Sequence, residues 1–220
     1  MQFWKDTIDK VFEGQAPQQP IALALQEALT VSSLSSMWFK RIISERTNNL
    51  DDHMFMTIKD MEGYGENTAA SLLYLQLESL GVRDVQVDHI ASHLGKMIGI
   101  TTFLRSLPFH LSQKRLVLPA QIMAQHRISQ EAAIRGHLDG IDDAVFEVAT
   151  AANDQLLTAR SLLKTSEKPE IMPVLLSAIP HIRYLEKLES VNFNVFDPSL
   201  QRKDWKLPFA LWSSYKNRQL

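Results

Sequence analysis

The stretch "HLGKMIGITTFLRSLPFH", residues 93 to 110, decides the fold of this chain. It belongs to a mainly apolar helical pattern that begins near Asp84, so we expect one long helix in this part of the chain. Pro108 has no backbone N–H to donate, and we therefore expect the helix to end at Leu107. Two polar positions in the quoted stretch, Ser106 and His110, bear most directly on function.

The rest of the chain has the same helical character. Apolar residues recur at helical spacing from "FWKDTIDKVFEG" onward, whereas strand-like alternation is confined to short pieces. Gly14 and Gly81 are placed as C-terminal stops, and Thr57 with Asp60 approximates a capping box. The serines of "TVSSLSS", residues 30 to 36, are expected to cap the neighbouring helix start. The sequence predicts one all-α domain.

Composition excludes several classes of protein. The chain has 220 residues, of which 45% are hydrophobic and 22% charged, with a formal net charge of -2. This balance is typical of a soluble globular domain and argues against nucleic-acid binding. There are no cysteines, so disulfides, thiolate metal sites and thiol nucleophiles are excluded. We see neither a signal peptide nor an apolar run long enough to span a bilayer.

Three blocks carry a family resemblance. They are "YGENTAASLLYLQLESLG" (residues 64 to 81), the helix quoted first, and "KRLVLPAQIMAQHRIS" (residues 114 to 129). In order and spacing they resemble the squalene and phytoene synthase family, which implies an isoprenoid-synthase-like helical bundle. In that family the first block begins with a tyrosine, here Tyr64. It also carries a pair of small residues, here Ala69 and Ala70, where substrate passes close to the backbone.

The resemblance also implies what the site lacks. Enzymes of this family ionise a prenyl diphosphate, whose leaving group requires Mg²⁺ held by aspartates. Ser106 and His110 stand where the second aspartate-rich motif has its carboxylates, and Gly99 and Thr102 replace a glutamine and an asparagine. Arg105 is retained and could hold a phosphate. We therefore expect no catalytic residue, metal or cofactor. The degenerate family positions are Tyr64, Ala69, Ala70, Gly99, Thr102, Arg105, Ser106 and His110.

The extent of the resemblance sets the predicted domain organisation. It runs from Met1 to about Asn192, and the first aspartate-rich motif of the family is expected upstream of this start. We therefore expect an N-terminally truncated bundle that lacks upstream helices, whether as an isoform, a fragment or an incomplete gene model. The predicted division is a helical domain over residues 1–196 and a basic aromatic segment over residues 197–220.

Further stretches, among them "MQFWKDTID", "VDHIASHLGK" and "FDPSLQ", resemble a mitochondrial branch of the family. That branch implies a non-catalytic role in the assembly of respiratory complex I (NADH dehydrogenase). The implied partners are complex I subunits or other assembly factors, with peripheral attachment to the matrix side of the inner membrane and no nucleic acid. The alternative is a prenyl-lipid-binding protein that keeps an apolar cavity without turnover.

Two other sets of residues have simpler interpretations. His89 and His93 lie four positions apart, as zinc ligands on one helix can, but no third ligand accompanies them. A surface or core-edge histidine pair is the preferred interpretation. The aspartate pairs at 51–52 and 142–143 lack the four-residue spacing of a metal-binding motif. We expect both pairs to cap helix N-termini, where their charge complements the helix dipole.

The last twenty residues, "QRKDWKLPFALWSSYKNRQL", differ in charge from the rest of the chain. This segment carries a formal charge of +4, whereas the preceding residues carry -6. Trp205, Phe209 and Trp212 recur at helical spacing, with Lys206 beside them. Such a segment can lie on an anionic membrane or dock on a partner. The equally weighted alternative is that its aromatic rings fill the end of the core.

Overall fold

The computed structural model describes residues 1–50, 54–166 and 168–220. The chain folds into a series of α-helices joined by short turns, and the described residues contain no strand. The predicted all-α class is therefore confirmed. The α-helices are α1 (Gln2–Phe12), α2 (Pro20–Val31), α3 (Ser36–Asn48), α4 (Ile58–Gly65), α5 (Ser71–Ser79), α6 (Val85–Ser112), α7 (Ala120–Gln125), α8 (Gln130–Ile134), α9 (Ile141–Thr165), α10 (Met172–Leu175), α11 (Ile179–Ser190) and α12 (Leu207–Asn217).

The core is built around α6 and α9, which share the most extensive contact between any two elements. Helix α6 is buried on several sides because its sequence is apolar over most of its circumference. Helix α9 is amphipathic, and its buried stripe is rich in alanine, which lets the two helices pack closely. That stripe consists of Ile141, Ala144, Val145, Val148, Ala149, Ala152, Leu156 and Ala159.

Helix α6 does not end just before Pro108, as the sequence predicts. It continues through Pro108 to Ser112, so the predicted end at Leu107 is wrong. A proline this close to the C-terminus removes only one helical hydrogen bond, the one to the Leu104 carbonyl. Leu107 is fully buried on one side of the proline, and Leu111 packs against the core on the other. Packing of these side chains therefore outweighs the local preference of proline.

Helices α4 and α5 are joined by a π-helical turn, Glu66–Ala70, which makes one continuous helical segment. The predicted capping box is present at its start, with the Thr57 hydroxyl accepting from the Asp60 amide and the Asp60 carboxylate accepting from the Thr57 amide. Gly81 has a φ of 73° just after the segment ends, as predicted for a C-terminal stop. The π-turn was not foreseen from sequence.

Two predictions about helix starts need correction. Ser35 occupies the N-cap position of α3 without a capping hydrogen bond; its hydroxyl instead donates to Glu78 Oε1 over 2.5 Å. The N-cap of α9 is Gly140, whereas Asp142 and Asp143 lie in the first turn. Their charge still complements the helix dipole there. The aspartate pair at 51–52 lies outside the described residues.

The π-turn crosses α6 at very short range. A Cβ atom on Gly95 would lie 2.4 Å from the backbone nitrogen of Ala70, and one on Gly99 would lie 2.5 Å from Cα of Gly65. A Cβ on Gly65 would lie 2.8 Å from the Gly95 carbonyl oxygen. Only residues without a side chain permit this approach, because these atoms belong to the backbone and have no freedom to move aside.

The last helix, α12, contacts α11 and the 3₁₀ turn at Leu176–Ala178. Its inward residues Leu207, Ala210 and Leu211 pack against the core. Within the described ranges, no helix combines the length and the apolar content needed to cross a bilayer. The division of the chain at residue 197 stays a prediction.

The glycine crossing generates a stability prediction. Replacing Gly95 with alanine should lower the free energy of unfolding by about 1–3 kcal/mol, because the added methyl overpacks against backbone. Gly63→Ala is the matched control, since its Cβ would meet nothing within 4 Å. That variant should gain about 0.5–1 kcal/mol from the better helix propensity of alanine. Urea unfolding of the three proteins measures both effects; equal shifts for the two variants would contradict the crossing.

Candidate functional site

A cavity of about 870 Å³ opens beside the glycine crossing. Its walls come from α3, the segment from α4 through the π-turn to α5, the C-terminal half of α6 and the turn after α6. Most of the lining is apolar. The lining residues are Met1, Ile42, Arg46, Asn49, Leu50, Met54, Phe55, Tyr64, Thr68, Ala69, Leu72, Ile98, Gly99, Thr102, Phe103, Ser106, Phe109, His110, Arg115, Leu116, Val117 and Gln130.

Most of the family positions singled out from sequence meet in this cavity. Helix α6 presents a stripe along it because residues three to four apart share a face. The positions that line the cavity are Tyr64, Ala69, Gly99, Thr102, Ser106 and His110. Two positions do not line it. Ala70 is fully buried in the crossing with Gly95, and Arg105 is exposed on another face of α6.

Arg105 acts on a different part of the molecule. Its charge reaches His181 and Tyr184 of α11 rather than the cavity. Burial, and then the Arg105 guanidinium, lowers the pKa of His181 to about 4. Burial raises the pKa of Tyr184 to about 12, against a smaller lowering by the same guanidinium. This placement does not support the expectation that Arg105 could hold a phosphate in the cavity.

Aromatic rings form one wall of the cavity. Phe103 makes edge-to-face contacts with Phe55 and Tyr64, at centroid distances of 4.9 and 5.0 Å. The guanidinium of Arg46 lies 5.6 Å from the centre of the Tyr64 ring. Burial raises the pKa of the Tyr64 hydroxyl, with a smaller lowering by Arg46. Phe55, Phe103 and Arg46 were not singled out from sequence, because only the fold brings residues 46, 55 and 103 together.

A polar cluster supports the π-turn from behind. Glu66 accepts hydrogen bonds from the Tyr74 hydroxyl at 2.8 Å and the Ser92 hydroxyl at 2.5 Å. Arg41 and Lys96 place cationic nitrogens 3.8 and 4.0 Å from the same carboxylate. Burial and the Glu66 charge together raise the pKa of the Tyr74 hydroxyl. The cluster links α3, the π-turn, α5 and α6 on the side of the wall away from the cavity.

The donor set of the cavity does not fit Mg²⁺. The Thr102 hydroxyl donates to the Ile98 carbonyl at 2.7 Å, and the Ser106 hydroxyl donates to the Phe103 carbonyl at 3.1 Å. The described lining contains two arginines and no carboxylate. Mg²⁺ prefers carboxylate and water oxygens, and cationic neighbours disfavour it. Across the described part of the chain, no three His, Asp or Glu side chains converge as a metal site would require.

The histidine pair on α6 has other contacts. His93 pairs through Nδ1 with Gln155 Oε1 at 2.6 Å, and Gln155 in turn donates to Glu62 at 2.7 Å. His89 is exposed on the same helix. His93 therefore takes part in a polar contact between α6 and α9, as the core-edge interpretation of the pair predicts.

The comparison with protein families identifies the class of protein to which this fold and cavity belong. A family model described as "Squalene/phytoene synthase" matches residues 1–209, and the chain belongs to that family. Two solved structures share the fold at 17% sequence identity each. One is a dehydrosqualene synthase in complex with ligand, with a TM-score of 0.82 and coverage of 97% of this chain and 76% of that one. The other is a squalene synthase from Alicyclobacillus acidocaldarius, with a TM-score of 0.76 and coverage of 86% and 72%.

More similar relatives carry a different name. The chain is 42% identical over 220 residues to "NADH dehydrogenase (ubiquinone) complex I, assembly factor 6" of Bos taurus, covering 99% of this chain and 66% of that protein. It is 38% identical over 226 residues to the homolog in Drosophila melanogaster, covering 99% and 67%. The chain thus spans about two thirds of the length of these relatives.

His181 provides a test of the arrangement around Arg105. Its folded-state pKa of about 4 lies below the ordinary value of roughly 6.5. Between these pH values His181 binds more protons in the unfolded chain than in the folded one. The free energy of unfolding therefore decreases as the pH falls from about 6.5 toward 4. His181→Gln should flatten the pH dependence of the thermal midpoint in this window. An unchanged profile in His181→Gln would contradict the burial of this ring.

Proposed function

We propose that this chain is a non-catalytic assembly factor for mitochondrial respiratory complex I (NADH dehydrogenase), built on the fold of a squalene/phytoene synthase. It works with complex I subunits or other assembly factors, on the matrix side of the inner membrane and as a peripheral protein. The observation that carries this proposal is the chemistry of the cavity. Ser106 and His110 occupy the positions where enzymes of the squalene and phytoene synthase family have metal-binding aspartates.

Prenyl diphosphate ionisation requires a counter-charge for the leaving diphosphate, which Mg²⁺ ions held by carboxylates supply. The two arginines of the lining could attract a phosphate, but they neither hold Mg²⁺ nor activate the leaving group through it. The hydroxyls of Thr102 and Ser106 both donate to backbone carbonyls of α6. These features favour a scaffold over an enzyme. The assembly role is supported by the names of relatives that match nearly the whole chain.

The cavity itself favours a second candidate, a protein that binds a prenyl lipid without turnover. A volume of about 870 Å³ is in the range of pockets that hold drug-sized or longer ligands. The wall of Phe55, Tyr64 and Phe103 offers apolar surface, and the glycine crossing brings backbone to the cavity edge. Lipid binding is compatible with an assembly role, so each candidate function is tested by its own measurement.

A rescue experiment tests the assembly role. Mouse cells deleted for their own assembly factor 6 would express this chain behind a matrix-targeting sequence. We expect recovery of assembled complex I on native gels and of NADH oxidation by isolated membranes. Ser106→Ala with His110→Ala should rescue equally well, because the proposal assigns no catalysis to these side chains. Gly95→Ala, expected to destabilise the fold, is the control that should rescue less.

Two outcomes would contradict this proposal in different ways. Failure of the folded, imported chain to restore complex I would reject the assembly role. Formation of prenyl product from farnesyl diphosphate and Mg²⁺ above a heat-inactivated control, lost in the double alanine variant, would reject the non-catalytic part. Rescue that depends on Ser106 and His110 would also reject it, provided that the variant reaches the same level in mitochondria.

The lipid-binding candidate makes its own prediction. The chain purified from cells should carry isoprenoid, detected by solvent extraction and mass spectrometry. Thr102→Phe should lower the amount bound, because it fills the cavity from an exposed position where folding is little affected. Phe146→Thr, at an exposed site outside the lining, is a control that should bind as much as the unmodified chain. Equal binding by all three proteins would place the lipid elsewhere.

A further inference from the structure

The outer face of α12 exposes large aromatic side chains. Trp205 just before the helix is 81% exposed, and Phe209 and Trp212 on it are 68% and 55% exposed. Phe209 and Trp212 share one side of α12 because they are three residues apart on the helix, and Trp205 lies in the turn that precedes it. Tyr215 lies one turn further on and is also exposed. These aromatic rings do not fill the end of the core, so the core-packing alternative is not what the structure shows.

Helix α12 is nevertheless held firmly in place. Its opposite face packs Leu207, Ala210 and Leu211 against the core. Ahead of the helix, the Asp204 carboxylate accepts from the guanidinium of Arg183, and Lys187 lies 3.8 Å from the same carboxylate. These charges lower the pKa of Asp204. The aromatic face is therefore presented by a folded, anchored helix.

The charge around this face is positive. Residues 201–220 contain five basic residues and one acid, Asp204. Asp204 is engaged by Arg183 and Lys187 of α11, and the formal charge of residues 201–220 is +4. The rest of the chain carries a formal charge of -6. A surface this distinct from the remaining protein favours a partner that is itself anionic.

The cations lie at the level of the aromatic rings. The Lys206 ammonium is 5.4 Å from the centre of the Trp205 ring, and the Lys216 ammonium is 5.0 Å from the centre of the Trp212 ring. Phe209 lies between them, 5.7 Å from Trp212. Tryptophan and tyrosine are enriched where apolar and aqueous phases meet, and lysine extends its ammonium to phosphate level above them. Exposed aromatic rings with lysine ammonium groups beside them are found both just before α12 and on it.

From this geometry we propose that the outer face of α12 is a docking surface for an anionic phospholipid bilayer. Phe209 and the tryptophan rings enter the headgroup region, while Lys206 and Lys216 pair with lipid phosphates. The inference rests on the proposed peripheral membrane role and gives it a location on the molecule. A bilayer is favoured as the occupant because exposed aromatic rings and lysine ammonium groups occur together on this segment, the combination typical of segments that lie in a membrane interface.

Binding to vesicles tests the surface directly. The purified chain would be sedimented with vesicles of phosphatidylcholine alone and with vesicles containing phosphatidylglycerol. We expect binding only to the anionic vesicles, weakening as salt is raised. A basic residue near such a surface contributes about 1 kcal/mol, a factor of about five. Lys206→Gln with Lys216→Gln should therefore lower the partition coefficient roughly 25-fold. Trp205→Ala with Trp212→Ala should abolish the part of vesicle binding that comes from insertion of the aromatic rings.

Matched controls separate this face from general charge and apolarity. Lys59→Gln with Lys164→Gln removes two exposed lysines elsewhere, and Phe3→Ala with Val31→Ala removes two exposed apolar side chains. Both pairs should bind like the unmodified chain. Circular dichroism and thermal midpoints establish that every variant is folded, which is expected because all the altered side chains are exposed or half-buried.

The outcomes distinguish this inference from the proposed function. Vesicle binding without complex I rescue would support the lipid surface and reject the assembly role. Rescue without vesicle binding would reject the lipid surface. Equal losses in the α12 variants and their controls would also reject it. A third outcome is that the unmodified chain binds neither kind of vesicle, while the α12 variants lose a mitochondrial protein that co-purifies with the unmodified chain. In that case the face binds a protein, and the bilayer proposal is overturned.

Discussion

The structure depends on the close approach of two backbones, that of the segment from Gly65 to Ala70 and that of α6. Gly65, Gly95 and Gly99 leave no side chain between them, and Ala70 contributes only a methyl group to the contact. At this range, dispersion contacts between backbone atoms replace the side-chain interdigitation of an ordinary helix pair. The position of α6 then determines which of its residues face the cavity and which face α9 or α11.

The π-turn and the polar cluster behind it complete this arrangement. A π-helical turn shifts the register of the residues that follow, and such turns often occur at functional sites. Here the turn places Thr68 and Ala69 on the cavity side, while the Glu66 carboxylate is held by Tyr74 and Ser92 on the other. A charged group thus stabilises the wall without entering the cavity.

Much of the fold could be predicted from the sequence. Helical periodicity indicated the all-α class, and the blocks around Tyr64 and Arg105 indicated the family. The end of α6, the π-turn and the place of Ser35 could not be predicted, because each depends on tertiary contacts that override local preference. Six of the eight family positions line the cavity. Arg105 faces α11 instead. This could not be predicted, because the spacing of residues along α6 does not indicate which other helix packs against each of its faces.

The glycine crossing also gives the cavity walls unequal stiffness. Where Gly99 meets the backbone of Gly65, there is no rotamer to change and no side chain to withdraw, so this part of the cavity wall keeps its shape. Other parts of the lining carry Arg46, Leu50 and Met54, long side chains with several rotatable bonds, and methionine in particular adapts to irregular contents. A change in the shape of the cavity would therefore come from these side chains, while the backbone at Gly99 stays fixed.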